Sequence, residues 1–197
     1  LICHGNGGNI SHRFDLCKTL LAEIGANVFV FDYRGYGRSD GRPGEEGTYL
    51  DAQAAFDWLK KRGIQTVIAY GESLGGGVAS ELALRETVGG VVLQSTFTSI
   101  PDIGSELFPW LPVRLLGKIK YDTRSKLPRI KVPVLVIHSR ADDIVPYTHG
   151  ERNFAAASEP KIFCELRGYH NDAAWEEPEF KAAVEKFMGL LTTTENE

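Results

Sequence analysis

Short runs of consecutive apolar residues, separated by amphipathic helical patterns, constrain this chain more than any other feature. Val28-Phe29-Val30-Phe31, Thr66-Val67-Ile68-Ala69-Tyr70, Val91-Val92-Leu93 and Val132 to Ile137 have almost no polar positions. A strand without a polar face is buried on both sides, which is the situation of a strand in a parallel sheet covered by helices. Lys161 to Leu166 is a weaker run of the same kind. The chain opens on Leu1-Ile2-Cys3, without an initiator methionine, and reads as starting inside a strand. Strands alternating with helices predict an α/β fold built on a mostly parallel sheet, with helices on both faces.

The helical stripes are explicit. Cys17, Leu20, Leu21 and Ile24 share one face of a first helix, which Gly25 ends. Ala52, Ala55, Phe56 and Leu59 line a second. Thr48 with Asp51 offers that helix a capping-box start, and Lys60, Lys61 and Arg62 complement its dipole before Gly63. Phe180, Val184, Phe187 and Leu191 mark a C-terminal helix, and residues from Thr192 to Glu197 read as a frayed tail. The alternation breaks between Phe97 and Lys131, where Pro101, Pro109, Pro112 and Pro128 stand among apolar residues. This interval is too short for a core of its own. It reads as a lid inserted over the carboxyl end of the sheet (97–131), within one domain spanning 1–197.

Charge and composition exclude several functions. The net charge of −4 argues against nucleic acid as the main partner, because phosphate binding requires a basic surface. No apolar run approaches the length of a membrane span, and none reads as a signal peptide, so neither is expected in these residues. Cys3, Cys17 and Cys164 are too few and too scattered for a disulfide framework or a zinc site. Cys3 and Cys17 read as core residues and Cys164 as a strand residue. Their odd number suits a reducing, cytoplasmic setting. The histidines lack metal-ligand spacing, so no metal and no cofactor is expected.

Chemistry concentrates around Ser73. It sits in Gly71-Glu72-Ser73-Leu74-Gly75, a G-x-S-x-G match of which chance supplies only about 0.1 in a chain with 21 glycines. The match follows a buried strand and precedes a helical run, so the serine belongs on a strained strand-to-helix elbow above the sheet. A serine hydroxyl needs a base, and the base needs an orienting acid. His138 ends a strand and His149 falls on a helix after Pro146. His170 lies in the loop after the last strand, from which it can reach across the sheet top. The acid belongs in Ser139-Arg140-Ala141-Asp142-Asp143, where spacing does not separate Asp142 from Asp143. Two backbone N–H groups must receive the oxyanion. Leu74 follows the nucleophile, and Asn6 lies in the glycine-rich loop His4-Gly5-Asn6-Gly7-Gly8-Asn9, where His4 is expected to hold the loop. That loop lacks the Lys-Ser/Thr ending of a phosphate-binding loop. In Asp32-Tyr33-Arg34-Gly35-Tyr36-Gly37 a structural role is expected, with Asp32 paired to Arg34.

Five motifs together resemble the α/β-hydrolase superfamily over nearly the whole chain. They are HGNGGN at 4–9, DYRGYGRS at 32–39, GESLGG at 71–76, HSRADDIVP at 138–146 and GYHN at 168–171. The pattern is most similar to serine hydrolases of the abhydrolase-domain, Bem-like type, and also to prolyl-oligopeptidase-like and dienelactone-hydrolase-like enzymes. The resemblance places the acid on Asp142, with Ser139 replacing a family glycine. It also implies the roles of Ser73, His170 and the Asn6 and Leu74 amides. Family members begin with strands and a hairpin that precede the HGN loop, and these are absent here. The sheet is therefore expected to have about six strands, with Val28 to Phe31 as an exposed edge.

The function implied is cleavage of carboxylic esters or thioesters through an acyl-enzyme. A serine peptidase of the prolyl-oligopeptidase type is the alternative, and a noncatalytic binding domain a more distant one. The partner is then a small-molecule ester or thioester, and the chain a monomer or homodimer. Phe108, Trp110 and Leu111, in the apolar stretch of the insertion, are expected to bind an apolar part of the substrate.

Overall fold

The computed structural model describes residues 1–111 and 118–193. Strands β1 (Ile2–Cys3), β2 (Ile68–Glu72), β3 (Gly90–Gln94), β4 (Val134–Ser139) and β5 (Lys161–Leu166) form a five-stranded sheet in that spatial order. Every neighbouring pair is parallel. The connecting helices are α1 (Phe14–Ala22), α2 (Glu45–Lys61), α3 (Leu74–Arg85), α4 (Ile100–Leu107), α5 (Tyr147–Ala156) and α6 (Pro178–Thr193).

Alternation along the strands sorts the core into two layers. Val91, Leu93, Val134 and Val136 pack with Tyr49, Ala52 and Phe56 of α2 and Val78, Ala79 and Leu82 of α3. Val92, Leu135, Ile137, Ile162, Cys164 and Leu166 face the other way, onto Leu16 and Leu20 of α1 and Phe180, Val184, Phe187 and Leu191 of α6. The helical stripes legible in the sequence are these core faces. Leu21 departs from its stripe and is 57% exposed.

Three local expectations are corrected. Val28 to Phe31 does not form a sixth strand. It makes one bridge, Ile2 with Val30, and one ladder hydrogen bond, from the Ile2 N–H to the Phe29 carbonyl at 2.9 Å. With only two residues in β1, its outer side offers a single ladder step. Helix α2 starts at Glu45 behind Gly44, so Thr48 lies inside its first turn and donates to the Glu45 carbonyl at 2.8 Å. Asp51 is thereby free of any capping role and takes the Arg34 guanidinium at 2.7 Å. Asp32 is not the partner of Arg34. It accepts the Ile10 N–H at 2.9 Å instead.

The interval 97–131 leaves the sheet at Gln94 and carries α4, capped by the Ser99 hydroxyl, which accepts the Asp102 N–H at 3.1 Å. Its two ends are tied together. The Ile100 N–H donates to the Lys120 carbonyl at 2.7 Å and the Arg124 N–H to the Thr98 carbonyl at 3.0 Å. Pro112, Val113, Leu115 and Leu116 lie outside the described residues, as do residues 194–197 of the expected tail. Among the described residues no helix is long and apolar enough to cross a membrane.

Candidate active site

The carboxyl ends of β2 and β4, the loop after β5 and the loop after β1 converge on Ser73. This serine joins β2 directly to α3 with φ 53° and ψ −116°. A non-glycine residue pays about 1–3 kcal/mol for such backbone, so the surroundings must impose it. They do so by proximity. A Cβ on Gly71 would strike the Gly75 backbone, and one on Gly75 would strike the Cys3 carbonyl. The two motif glycines let strand and helix approach closely enough to force the turn. The Ser73 N–H donates to the Gln94 carbonyl of β3 at 2.8 Å.

His170 is brought to this serine from 97 residues away. Its Nε2 lies 3.2 Å from Ser73 Oγ. Its Nδ1 lies 2.8 Å from Asp142 Oδ2 and 3.0 Å from Oδ1. The Asp142 side chain is fully buried, and its Oδ1 also accepts the N–H groups of Ile144 at 3.0 Å and Val145 at 2.7 Å. Burial by itself would raise this carboxyl's pKa. The His170 hydrogen bond, the two amides and the His170 charge outweigh it and hold the group below the usual carboxylate range. An ionised carboxylate only accepts, so Nδ1 carries the ring proton and Nε2 faces Ser73 as an acceptor.

The neighbouring residues complete the setting. Asp143 Oδ1 accepts the backbone N–H of His170 at 3.1 Å. The Ser139 hydroxyl donates to the Gly168 carbonyl, tying the β4 end to the histidine loop. His138, fully buried, donates from Nε2 to the Val145 carbonyl at 2.9 Å and is 3.4 Å from Asp142 Oδ2. Burial pushes its pKa down.

Leu74 opens α3, and Asn6 sits in the loop after β1. A Cβ on Gly5 would be 3.4 Å from Ser73 Cβ, so this loop runs alongside the nucleophile. Among the described residues neither the Asn6 nor the Leu74 N–H has a backbone or side-chain acceptor. The Asn6 side chain accepts the Tyr36 hydroxyl at 2.6 Å. His4 holds the loop as expected, with Nδ1 on the Gly5 carbonyl at 2.7 Å and its ring against Tyr33. Phe108, Trp110 and Leu111 stand exposed beyond α4, Trp110 at 77%. The Phe108 N–H donates to the Gly104 carbonyl and the Leu111 N–H to the Phe108 carbonyl, both at 2.9 Å, and the Phe108 and Trp110 rings are 5.8 Å apart; among the described residues no hydrogen bond, ion pair or ring contact joins the three to Ser73, Asp142 or His170. An apolar cavity of about 500 Å³ lies elsewhere, at Ile68, where β2 begins, between Ile24, Val28 and Phe187. Among the described residues no group of three or more His, Cys, Asp or Glu is placed to hold a metal ion.

Sequence reasoning missed Arg13, which reaches Glu72 beside the nucleophile, and the backbone bond of Asp143. Arg13 has no motif around it that announces this. Glu72 stood inside the serine motif as an unassigned position.

A family model described as alpha/beta hydrolase fold matches residues 1–119. An uncharacterised protein of Mycobacterium tuberculosis is 43% identical over 176 residues, 87% of this chain and 62% of the relative. The lysophosphatidylserine lipase ABHD12 of Macaca fascicularis is 32% identical over 221 residues, 96% of this chain and 55% of the relative. The chain thus spans only a little over half the length of these relatives. Among solved structures, Est1E from Butyrivibrio proteoclasticus with bound ferulic acid has a TM-score of 0.78 at 22% identity, covering 98% of this chain and 88% of its own.

Proposed function

Starting from the alpha/beta hydrolase fold family, to which this chain belongs, we propose that it is a serine hydrolase of carboxylic esters or thioesters. The observation that carries the reading is the unbroken hydrogen-bonded line from Asp142 through His170 to Ser73 on a strained elbow.

In this reading Ser73 Oγ attacks the substrate carbonyl as its proton passes to His170 Nε2. Asp142 stabilises the imidazolium and keeps its tautomer. The Asn6 and Leu74 N–H groups receive the oxyanion. Collapse of the tetrahedral intermediate expels the alcohol or thiol, which takes the proton from His170. Water, deprotonated by the same nitrogen, then cleaves the acyl-serine ester and restores Ser73. The 97–131 interval acts as a short lid within a single domain, and Phe108, Trp110 and Leu111 supply an apolar wall for the acyl or alcohol group. The lipase relative supports a substrate with an apolar chain.

A fluorophosphonate probe tests the nucleophile. The chain labels, and Ser73→Ala does not; an unlabelled wild-type protein overturns the reading. A p-nitrophenyl ester series tests the wall. Each methylene the wall buries adds up to about 0.8 kcal/mol, so kcat/KM rises from acetate to a short or medium chain and then falls. Trp110→Ala flattens or shifts that optimum. Indifference to chain length in both proteins would show that the segment is only cover.

A further inference from the structure

We propose that Arg13 and Glu72 are positioning residues that clamp the loop at residues 4–9 onto the nucleophile elbow and so set where the Asn6 N–H stands relative to Ser73. The proposal rests on the serine-hydrolase reading above.

The geometry is that of a single planar fork. Arg13 Nε donates to Glu72 Oε2 at 2.9 Å and Nη2 to Oε1 at 3.0 Å, a bidentate pair. The third nitrogen, Nη1, donates to the Gly7 carbonyl at 2.8 Å. One guanidinium therefore holds the residue before the nucleophile and the residue after Asn6. It also lies close to two of the loop's glycines. A Cβ on Gly5 would meet Nη2 at 3.3 Å, and one on Gly8 would meet Nη1 at 3.1 Å. Arg13 is buried, and it reaches this place because the turn Ile10–Arg13 folds the loop back over itself. The turn is locked by Asn9, whose Oδ1 accepts the Ser11 N–H at 2.9 Å.

Ion pairs of this kind contribute little to stability once desolvation is counted, so stability alone is a weak reason for one here. What the pair supplies is register. The two oxyanion donors sit on separate segments, Leu74 on α3 and Asn6 on the loop after β1. Loop and helix share the Cys3–Gly75 backbone approach behind the serine, and Arg13 adds a side-chain tie from Gly7 to Glu72, the end of β2 that carries Ser73. Lysine keeps the charge and loses the fork, and glutamine at 72 keeps an acceptor and loses the charge.

Glu72→Gln, Arg13→Lys and the double variant test the clamp, with kcat, KM and amide hydrogen exchange measured on each. The expected result is faster exchange confined to the 4–9 segment. With it goes a fall in kcat of about 10- to 100-fold, less than the roughly 100- to 1,000-fold of losing an oxyanion donor outright. KM stays within about twofold, and the double variant is no worse than the more damaged single, as for two residues acting as one unit. Unchanged exchange at 4–9, or an unchanged kcat, overturns the proposal. So does faster exchange spread over the sheet with KM rising alongside, which marks a purely structural pair. Failure of the unmutated chain to label with fluorophosphonate would instead remove the hydrolase reading, a result visible without any of these variants.

Discussion

Two adjacent carboxylates meet one histidine from two directions. Asp142 takes the ring of His170, and Asp143 takes its backbone N–H. Their substitutions should therefore differ sharply. Asparagine at 142 presents an amide that cannot enforce the Nδ1–H tautomer, and kcat should fall by about 10⁴-fold, as for other triads. Asparagine at 143 keeps a carbonyl oxygen for the backbone bond and should cost less than about tenfold. Steady-state kinetics on both variants decides it, and a larger loss at Asp143 would reassign the acid. Spacing in the sequence did not separate the two. What separates them is the turn that aims the Ile144 and Val145 amides at Asp142, a feature of three-dimensional chain direction.

At the scale of elements, the strand-to-helix turn between β2 and α3 was the most legible part of the site. The order of a buried strand, glycine, serine, glycine and a helix leaves little choice of geometry. The structure adds what the second glycine meets, the Cys3 carbonyl of β1. Gly75→Ala must move backbone, so it should cost at least the 1–3 kcal/mol typical of overpacking and lower activity with it. Gly189 in α6 is the control. A Cβ there meets nothing within 4 Å, so alanine should be neutral or stabilising by up to about 1 kcal/mol. Urea melts of both variants give the comparison, and equal stabilities would show that the β1–α3 contact yields easily. The run Val28 to Phe31 was read as a strand because its residues favour one. Strand assignment needs a partner ladder, and the two-residue β1 offers a single step.

For the whole molecule, three fully buried histidines set the response to acid. His4, His138 and His149 all have pKa values lowered from 6.5, with burial the dominant cause in each. Below pH 6.5 the unfolded chain takes up protons that the folded chain refuses. Stability is therefore full above that pH and falls as the pH drops through 6.5 toward the folded values. Asp142 adds a second loss further down. Its folded pKa lies below 3.8, so its contribution is complete above 3.8 and disappears as the pH falls through the folded value. The urea midpoint should be level from about pH 7 to 8 and decline steadily from 6.5 to 5, with net proton uptake on unfolding. A midpoint unchanged down to pH 5 would contradict the burial of these histidines.

Periodicity and local order in the sequence were enough for the layered α/β fold, the core faces of α2 and α6, and the choice of Ser73 and His170 as candidates, which the fold brings within 3.2 Å of each other. These depend on patterns within one element or on the order of elements along the chain, and both are written linearly. Spacing left Asp142 and Asp143 open and only the motif resemblance favoured Asp142, while tertiary structure alone decided that Arg34 pairs with Asp51 and that Arg13 spans from Gly7 to Glu72. Each of these is a choice among chemically equivalent partners. A charged side chain can satisfy any carboxylate within reach, and reach is set by how distant segments pack, which no local spacing encodes.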